Sequence, residues 1–329
     1  MNTAVLGAGA MGTLMALVLS SRPGRRVTLW GHRTANVDDV ARDRENRRLL
    51  PGIPLPASLI VTGDIREAVR EVGCLVIAIP SAFLRSTLST LAPDIPAATP
   101  VVSVIKGIES STFRRPSEII VETIGPRSLA VLSGPCHAEE AARGMPATLV
   151  AASTDAHWAD CVREEFSTES FRTYTNTDVI GVEFAGALKN VMAIAAGICD
   201  GLGYGDNAKS ALITRGLVEM TRFVVAHGGD GATLTGLAGI GDLITTCISP
   251  HGRNRHVGQR LGRGESLSEI TASMSAVAEG VTTCAGVHAI GKANGIDMPI
   301  ATEVYEVLFN GKSPAQAARD LMHRPAGHE

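Results

Sequence analysis

The sequence has no Cys-x-x-Cys pair, no cysteine–histidine spacing of a zinc site and no His-Glu-x-x-His run. Those absences exclude the common zinc motifs, and no metal is expected. The six cysteines stand at 74, 136, 161, 199, 247 and 284 of 329 residues. In a chain of this size they read as reduced thiols, so the expected location is cytoplasmic. Neither sign of charge is in excess: 30 Lys+Arg face 33 Asp+Glu, for a formal net charge of −3. That balance carries no nucleic-acid signature. The run Arg42-Asp43-Arg44-Glu45-Asn46-Arg47-Arg48 is mixed in sign and reads as a solvated helix face. No basic stretch precedes the first apolar segment, so it does not read as a signal peptide. Internal repeats and low-complexity tracts are absent too. With 45% hydrophobic and 19% charged residues, the chain reads as a globular protein long enough for two domains.

Lysine is the scarcest charge. Only Lys106, Lys189, Lys209, Lys292 and Lys312 occur; arginine supplies the rest of the positive charge. Lys189 lies in the one long apolar run, 179–198, with Asn190 beside it and Glu183 upstream. These polar residues mark the run as a buried core helix, and no membrane insertion is expected. A buried ammonium is costly unless paired or shifted in pKa. A compact, titratable amine therefore points to chemistry. The alternative is a lysine that snorkels to the surface from the helix edge.

At the N-terminus a short apolar run, Thr3–Leu6, leads into Gly7-Ala8-Gly9-Ala10-Met11-Gly12, and Thr13–Ser20 continues with helical character. Strand, Gly-x-Gly-x-x-Gly, helix is the dinucleotide-binding fingerprint. Its glycines serve a tight turn, close approach to a pyrophosphate, and helix–strand packing. The second strand, Arg26–Trp30, ends in Gly31-His32-Arg33. A site restricted to NAD places a carboxylate here for the ribose hydroxyl. None is present, and His32 and Arg33 suit a 2′-phosphate, so NADP(H) and NAD(H) both stay open; the alternative is that Arg33 stacks on adenine or faces solvent. Further strands are predicted at Ser58–Thr62, Cys74–Ile79, Val101–Ile105, Leu129–Leu132 and Ala147–Ser153. Pro80, Lys106 and the turn Ser133–Ala138 then fall at carboxyl ends, where ligands of open α/β sheets gather.

Beyond Val179 the pattern turns helical, over 179–198, 207–227, 267–275, 283–294 and 301–322. The expected architecture is α/β: an N-terminal Rossmann-like doubly wound parallel sheet over 1–178, then an all-α C-terminal domain over 179–329. Polar residues stand in glycine-rich turns at Gly201–Lys209, Ala238–Leu243 with Thr245 and Thr246, and His251–Arg255. Asp242 could be only an N-cap and Arg253 a surface residue. Together, two lysines, an aspartate and an Arg-Asn pair suit a small substrate with a phosphate and a polarisable carbonyl.

The chain resembles the bacterial NAD(P)-dependent sn-glycerol-3-phosphate dehydrogenases from end to end. The matching segments include GAGAMGT at 7–13, WGHR at 30–33, LPGIPLP at 50–56, IKGIE at 105–109, SGP at 133–135 and ALKN at 187–190. They continue with DGLGYGDNAKSALITRG at 200–216, AGIGDL at 238–243, GRNR at 252–255, VAEGV at 277–281 and GKSPAQAARDLMHR at 311–324. The resemblance implies reduction of dihydroxyacetone phosphate to sn-glycerol 3-phosphate. Lys189 is then the general acid, Lys106 lies beside the same oxygen, and Asp242 holds Lys189 or the substrate hydroxyl. Asn190 and Thr246 are further substrate contacts, with Gly134 and Cys136, while Gly252, Arg253 and Asn254 take the phosphate. Gly7, Gly9, Ala10, Met11, Gly12, Trp30, His32, Arg33, Pro80, Lys106, Ala138, Arg253, Val277 and Glu279 line the cofactor. A homodimer is the default assembly.

Some positions depart from the family pattern. Cys136-His137-Ala138-Glu139-Glu140 stands where Ser or Thr, an aromatic and Ala-Lys-Glu are common. Gly252 replaces a frequent Ser, and Met11 a bulky or hydroxyl residue. A second reading is therefore a relative acting on another small phosphorylated or phosphonylated ketone, or a member of the wider 6-phosphogluconate-dehydrogenase-like set. A third is a non-catalytic NADP(H) sensor, which the presence of both Lys106 and Lys189 disfavours.

Overall fold

The computed structural model describes residues 2–32, 34–274 and 278–325; Arg33 and Val277, both named above for the cofactor, lie outside the described residues. The chain divides into two compact units, Met1–Lys106 with Arg114–Glu183, and Gly107–Phe113 with Phe184–Glu329.

The first unit is built on eight strands: β1 (Asn2–Leu6), β2 (Arg26–Trp30), β3 (Ile60–Thr62), β4 (Cys74–Ile77), β5 (Val101–Ser103), β6 (Leu129–Ser133), β7 (Ala147–Ala152) and β8 (Phe171–Asn176). They form one sheet in the order β3-β2-β1-β4-β5-β6-β7-β8. Neighbours are parallel except β6 and β7, which run antiparallel. Its helices are α1 (Ala10–Ser20), α2 (Thr34–Asp43), α3 (Ile65–Val69), α4 (Ser81–Leu91), α5 (Pro116–Ile124), α6 (Ala138–Ala141) and α7 (Ala156–Phe166).

The period of two in the strands explains the layers. Val5, Val76, Val102 and Leu132 enter one apolar cluster with Leu14, Met15 and Val18 of α1 and Phe166 of α7. Ala4, Leu6, Leu75, Ile77 and Val101 enter the other, with Leu84 and Leu88 of α4 and Ile119 and Ile120 of α5. A sheet covered on both faces needs apolar residues at successive positions, which is why its central strands read as continuous runs. The strand order reverses direction between β1 and β4, so a crevice opens at their carboxyl ends.

Several local expectations change. The strand expected over 58–62 spans only Ile60–Thr62, because the Leu59 amide turns back to the Pro56 carbonyl at 3.0 Å. An unexpected strand, β8, lies at the sheet edge, where Phe171 and Thr173 are buried and Arg172 and Tyr174 exposed. The charged run at 42–48 is not one solvated helix face: α2 ends at Asp43, and Asn46 is fully buried.

The second unit is helical, with no strand among its described residues. α8 (Val179–Gly201) begins in the first unit and continues into the second. There follow α9 (Asp206–Ala226), α10 (Asp242–Ile248), α11 (Arg253–Gly262), α12 (Leu267–Ser273), α13 (Glu279–Ala293), α14 (Pro299–Phe309) and α15 (Pro314–Met322). The helical run expected over 301–322 is two helices, broken at Gly311, and α10 and α11 were not anticipated as helices. Alone among the described helices, α8 is long and apolar enough to cross a membrane, but 94% of its apolar window is buried inside the structure.

α8 and α11 meet backbone to backbone. A Cβ on Gly197 would fall 2.0 Å from the Arg255 carbonyl oxygen, and one on Gly258 would fall 1.9 Å from that of Ile194. Gly201 and Gly262 repeat the contact one turn on. Glycine every fourth residue on both helices permits this approach. Asp200 adds an ionic tie, bonding the Arg255 guanidinium at 2.6 Å and pairing with Lys209. The position of α11 relative to α8 is thereby fixed.

Candidate active site

In the first unit the glycine turn follows β1 directly. Gly7 has φ of +120°, and a Cβ there would sit 2.5 Å from the Ala78 carbonyl oxygen. A Cβ on Gly12 would meet the Gly7 carbonyl oxygen at 1.8 Å. Around Gly9 there is nothing within 4 Å of a Cβ. The three glycines thus differ in purpose: two are forced by the protein's own packing, while the space at Gly9 is open. Gly9 is also the N-cap of α1 and has no side chain to cap it. Open space before bare helix amides is the cradle a pyrophosphate requires, so these residues fit a dinucleotide.

The remaining described cofactor candidates of this unit lie at the carboxyl ends of its strands. Ala10, Met11 and Gly12 form the first turn of α1. Trp30 closes β2, its indole donating to the Gly63 carbonyl at 3.1 Å, with exposed His32 edge-on to it at 6.2 Å between centroids. Pro80 caps α4 after β4. Lys106 follows β5, and its ammonium donates to the Gly134 carbonyl at 2.9 Å, tying together the ends of β5 and β6. Ala138 opens α6 and is buried. The Cys136 thiol is buried in the apolar cluster that contains Leu132 and Leu149.

In the second unit Lys189 lies at the middle of α8 with 5% of its surface exposed. It does not snorkel. Its Nζ donates to Asp242 Oδ1 at 2.5 Å and to Thr246 Oγ1 at 2.7 Å. Asp242 and Thr246 are four residues apart on α10, hence on one face, and the Thr246 hydroxyl also donates to the Asp242 carbonyl at 2.6 Å. A π-helical turn, Leu237–Gly241, delivers the chain into α10. Such turns recur at functional sites, where the extra residue re-aims a side chain. Burial pushes the neighbouring Cys247 thiol up to about 12, against the pull of the Lys189 ammonium, so it stays a neutral thiol.

The N-termini of α11 and α13 close this side. Gly252, buried, caps α11 without a side chain, and Arg253 and Asn254 open the helix. Asn254 Oδ1 accepts from the Gly280 amide at 2.9 Å, which fixes the side-chain amide's orientation and leaves Nδ2 as its donor group. Gly280 in turn lies so close to the Asn190 carbonyl that a Cβ would come within 2.6 Å. Lys189, Asn190, Asp242, Thr246, Gly252 and Asn254 are thus one cluster, with Arg253 and Glu279 on the adjoining first turns.

Some participants escape a reading by residue type. Asp200, Lys209 and Arg255 were visible inside matching segments, but not as a network. Glu183 is held by Ser117 N at 2.8 Å, Ser117 Oγ at 2.5 Å and Arg115 at 2.7 Å, and so anchors the start of α8 to α5. Burial pushes its carboxyl up, against the Arg115 charge and the Ser117 hydrogen bonds. Among the described residues no group of three or more His, Cys, Asp or Glu is placed to hold a metal ion.

Residues 2–159 match the family described as NAD-dependent glycerol-3-phosphate dehydrogenase N-terminus, and residues 178–319 match its C-terminal counterpart. The chain is 50% identical over 328 residues to the glycerol-3-phosphate dehydrogenase (NAD(P)+) of Chlorobium limicola, covering 98% of each. It is 46% identical to the enzyme of that name from Moorella thermoacetica, covering 100% of this chain and 97% of the other. Among solved structures, the glycerol-3-phosphate dehydrogenase of Coxiella burnetii superposes with a TM-score of 0.95 at 37% identity, over 98% of this chain and 99% of that one. A ketopantoate reductase family protein of Ralstonia eutropha superposes at 0.63 with 18% identity, over 98% of this chain and 100% of that one, and shares the fold alone.

Proposed function

The chain belongs to the NAD-dependent glycerol-3-phosphate dehydrogenase family, and from that premise we propose how its own side chains divide the reaction. The activity is NAD(P)-dependent reduction of dihydroxyacetone phosphate to sn-glycerol 3-phosphate, which serves glycerophospholipid synthesis. When bound, the nicotinamide supplies the hydride.

Lys189 gives the proton to the substrate's carbonyl oxygen and takes it back in the reverse direction. The observation that carries this role is its buried ammonium, held at 2.5 Å by Asp242 and 2.7 Å by Thr246. Any buried ammonium needs such partners, and here they also hold Nζ at one point beside Asn190. Asp242 balances the charge, and both partners fix Nζ at one point, so the proton is delivered from a set position. Asn190, the next residue on α8, contacts the substrate. Lys106 is assigned the second ammonium toward the same substrate oxygen, with Gly134 and Cys136 as neighbouring substrate contacts.

The phosphate is assigned to the N-terminus of α11. Arg253 offers a guanidinium fork, Asn254 its Nδ2 and Gly252 a cap with no side chain in the way. Gly7, Gly9, Ala10, Met11 and Gly12 are assigned to the pyrophosphate. Trp30, His32 and Arg33 take the adenosine side, and Pro80, Lys106, Ala138, Arg253, Val277 and Glu279 the remaining cofactor contacts. His32 is exposed just beyond β2 and can meet a 2′-phosphate, which supports NADP(H) beside NAD(H) as the cofactor. The six free cysteines support a cytoplasmic setting, and a homodimer is the assembly proposed.

The test is the oxidation of NADPH and NADH with dihydroxyacetone phosphate beside phosphate-free dihydroxyacetone. The phosphate raises kcat/KM by at least about a hundredfold, as expected of charge-assisted hydrogen bonds used in the transition state. Equal turnover of the two ketones would remove the role given to Arg253 and Asn254, and no turnover of either would remove the substrate.

A further inference from the structure

Residues 44–59, between α2 and β3, form no helix or strand of the doubly wound plan, yet they are not an ordinary exposed connection. Leu50, Ile53, Leu55 and Leu59 enter the apolar cluster that contains Leu14 and Met15 of α1. The course of the segment is firmly set. Arg44 takes a left-handed φ of 52°. Leu55 N donates to the Arg44 carbonyl at 2.8 Å, and the Arg44 guanidinium donates to the carbonyls of Leu59, at 2.9 Å, and Pro56. Gly52 N donates to Glu45 Oε1 at 2.7 Å. The result is a strap laid beneath the first helix.

What the strap presents is Asn46, fully buried near its start. Its Nδ2 donates to the Ala8 carbonyl at 3.1 Å and to Thr13 Oγ1 at 2.9 Å, and its Oδ1 accepts from Leu49 N at 3.3 Å. Both oxygens belong to the glycine turn and the helix that follows it. Thr13 is itself fully buried, and its amide closes the first turn of α1 on the Gly9 carbonyl at 2.9 Å.

We infer that Asn46 is a positioning residue for the dinucleotide: it sets the orientation of the peptide between Ala8 and Gly9. A trans peptide is planar, with its C=O and N–H pointing opposite ways. With the Ala8 carbonyl drawn onto Asn46 in the protein interior, the Gly9 N–H faces away from Asn46. The same bond keeps the carbonyl's negative end away from the phosphates. An apolar residue could fill the same space but would leave the Ala8 carbonyl without this donor and able to swing outward. The strap is thus a second support of the pyrophosphate turn, acting through one amide.

The inference rests on the glycine turn holding the cofactor, so the experiment separates the two. Dissociation constants for NADPH and NADH are measured by fluorescence titration of the whole protein, with kinetic constants for both substrates. Asn46→Asp keeps the size and the acceptor for Leu49 but loses the donors. The constants for both cofactors rise at least about tenfold, the loss expected when a half-buried carbonyl loses its donor and the turn its support. At saturating cofactor, kcat and the KM for dihydroxyacetone phosphate stay within about twofold, since no group touching the substrate has changed. Thr13→Val weakens cofactor binding in the same way, and Thr13→Ser restores it. A folded Asn46→Asp variant binding cofactor as the parent does would overturn the inference. If that variant does not fold, parental cofactor affinity in Thr13→Val overturns it instead. Failure of the parent to bind either cofactor would overturn the reading of the turn itself.

Discussion

The Lys189 ammonium and the Asp242 carboxylate form an ion pair at 2.5 Å with both residues almost wholly buried. Such a pair contributes little to stability as a whole, yet breaking it by removing one partner costs about 3–5 kcal/mol because the other charge is stranded. The pairing therefore reads as a device for holding an amine where chemistry needs it. It also ties α8 to α10, two elements far apart in the chain.

Asp242→Asn and Thr246→Val separate charge from placement. The first leaves the ammonium without its counter-charge and lowers kcat by at least about a hundredfold, from the size of interactions with buried charges. The second removes one hydrogen bond and costs about tenfold. Steady-state rates at saturating substrates check both, and parental rates in Asp242→Asn would show that the pair is only structural.

Gly9 and Gly258 make opposite demands on alanine. Gly258→Ala drives a Cβ into the Ile194 carbonyl oxygen, now 1.9 Å from its position, and lowers unfolding stability by more than about 2 kcal/mol. Gly9→Ala meets nothing within 4 Å, so stability changes by less than about 1 kcal/mol while cofactor affinity falls at least about tenfold. Urea unfolding and cofactor titration on the two variants measure the contrast. The reverse pattern would contradict the assignment of the open space at Gly9.

Glu219 carries a pH dependence. Its carboxylate caps α14, accepting from Ile300 N and Ala301 N at 2.8 Å each, and burial pushes it from 4.5 to about 7 despite those bonds. Because the folded state holds the proton more tightly than the unfolded chain, this contribution is full below about 4.5 and is lost as pH rises through about 7. The span corresponds to roughly 3 kcal/mol. In Glu219→Gln that loss disappears. Urea unfolding of both proteins from pH 5 to 8 measures the difference, and equal slopes would remove Glu219 from the account.

Much of the first unit was legible because a sheet covered on both faces demands β-branched and aliphatic runs such as Cys74–Ile77 and Val101–Ser103. The antiparallel pairing of β6 with β7 was not, since a strand's composition does not reveal its direction. β8 did carry a signal: Phe171-Arg172-Thr173-Tyr174 alternates with the period of a half-buried edge strand. Lys189 stood out as a lysine in an apolar run, but nothing local names its partner 53 residues away. Asn46 was hidden by its neighbours, because a window of arginines and acids reads as surface whatever one member does. The glycine spacing on α8 and α11 was present in each helix, and only the fold shows that the two sets face one another.

The measurement that bears most directly on the central claim is the effect of Lys189→Ala on turnover and on cofactor binding in the same preparation. The account predicts that kcat with dihydroxyacetone phosphate falls by about a thousandfold or more, the range for a positioned proton donor. The cofactor dissociation constant stays within about twofold, because the glycine turn is untouched. Turnover within about tenfold of the parent enzyme would contradict the account, since proton transfer would then have to come from another residue.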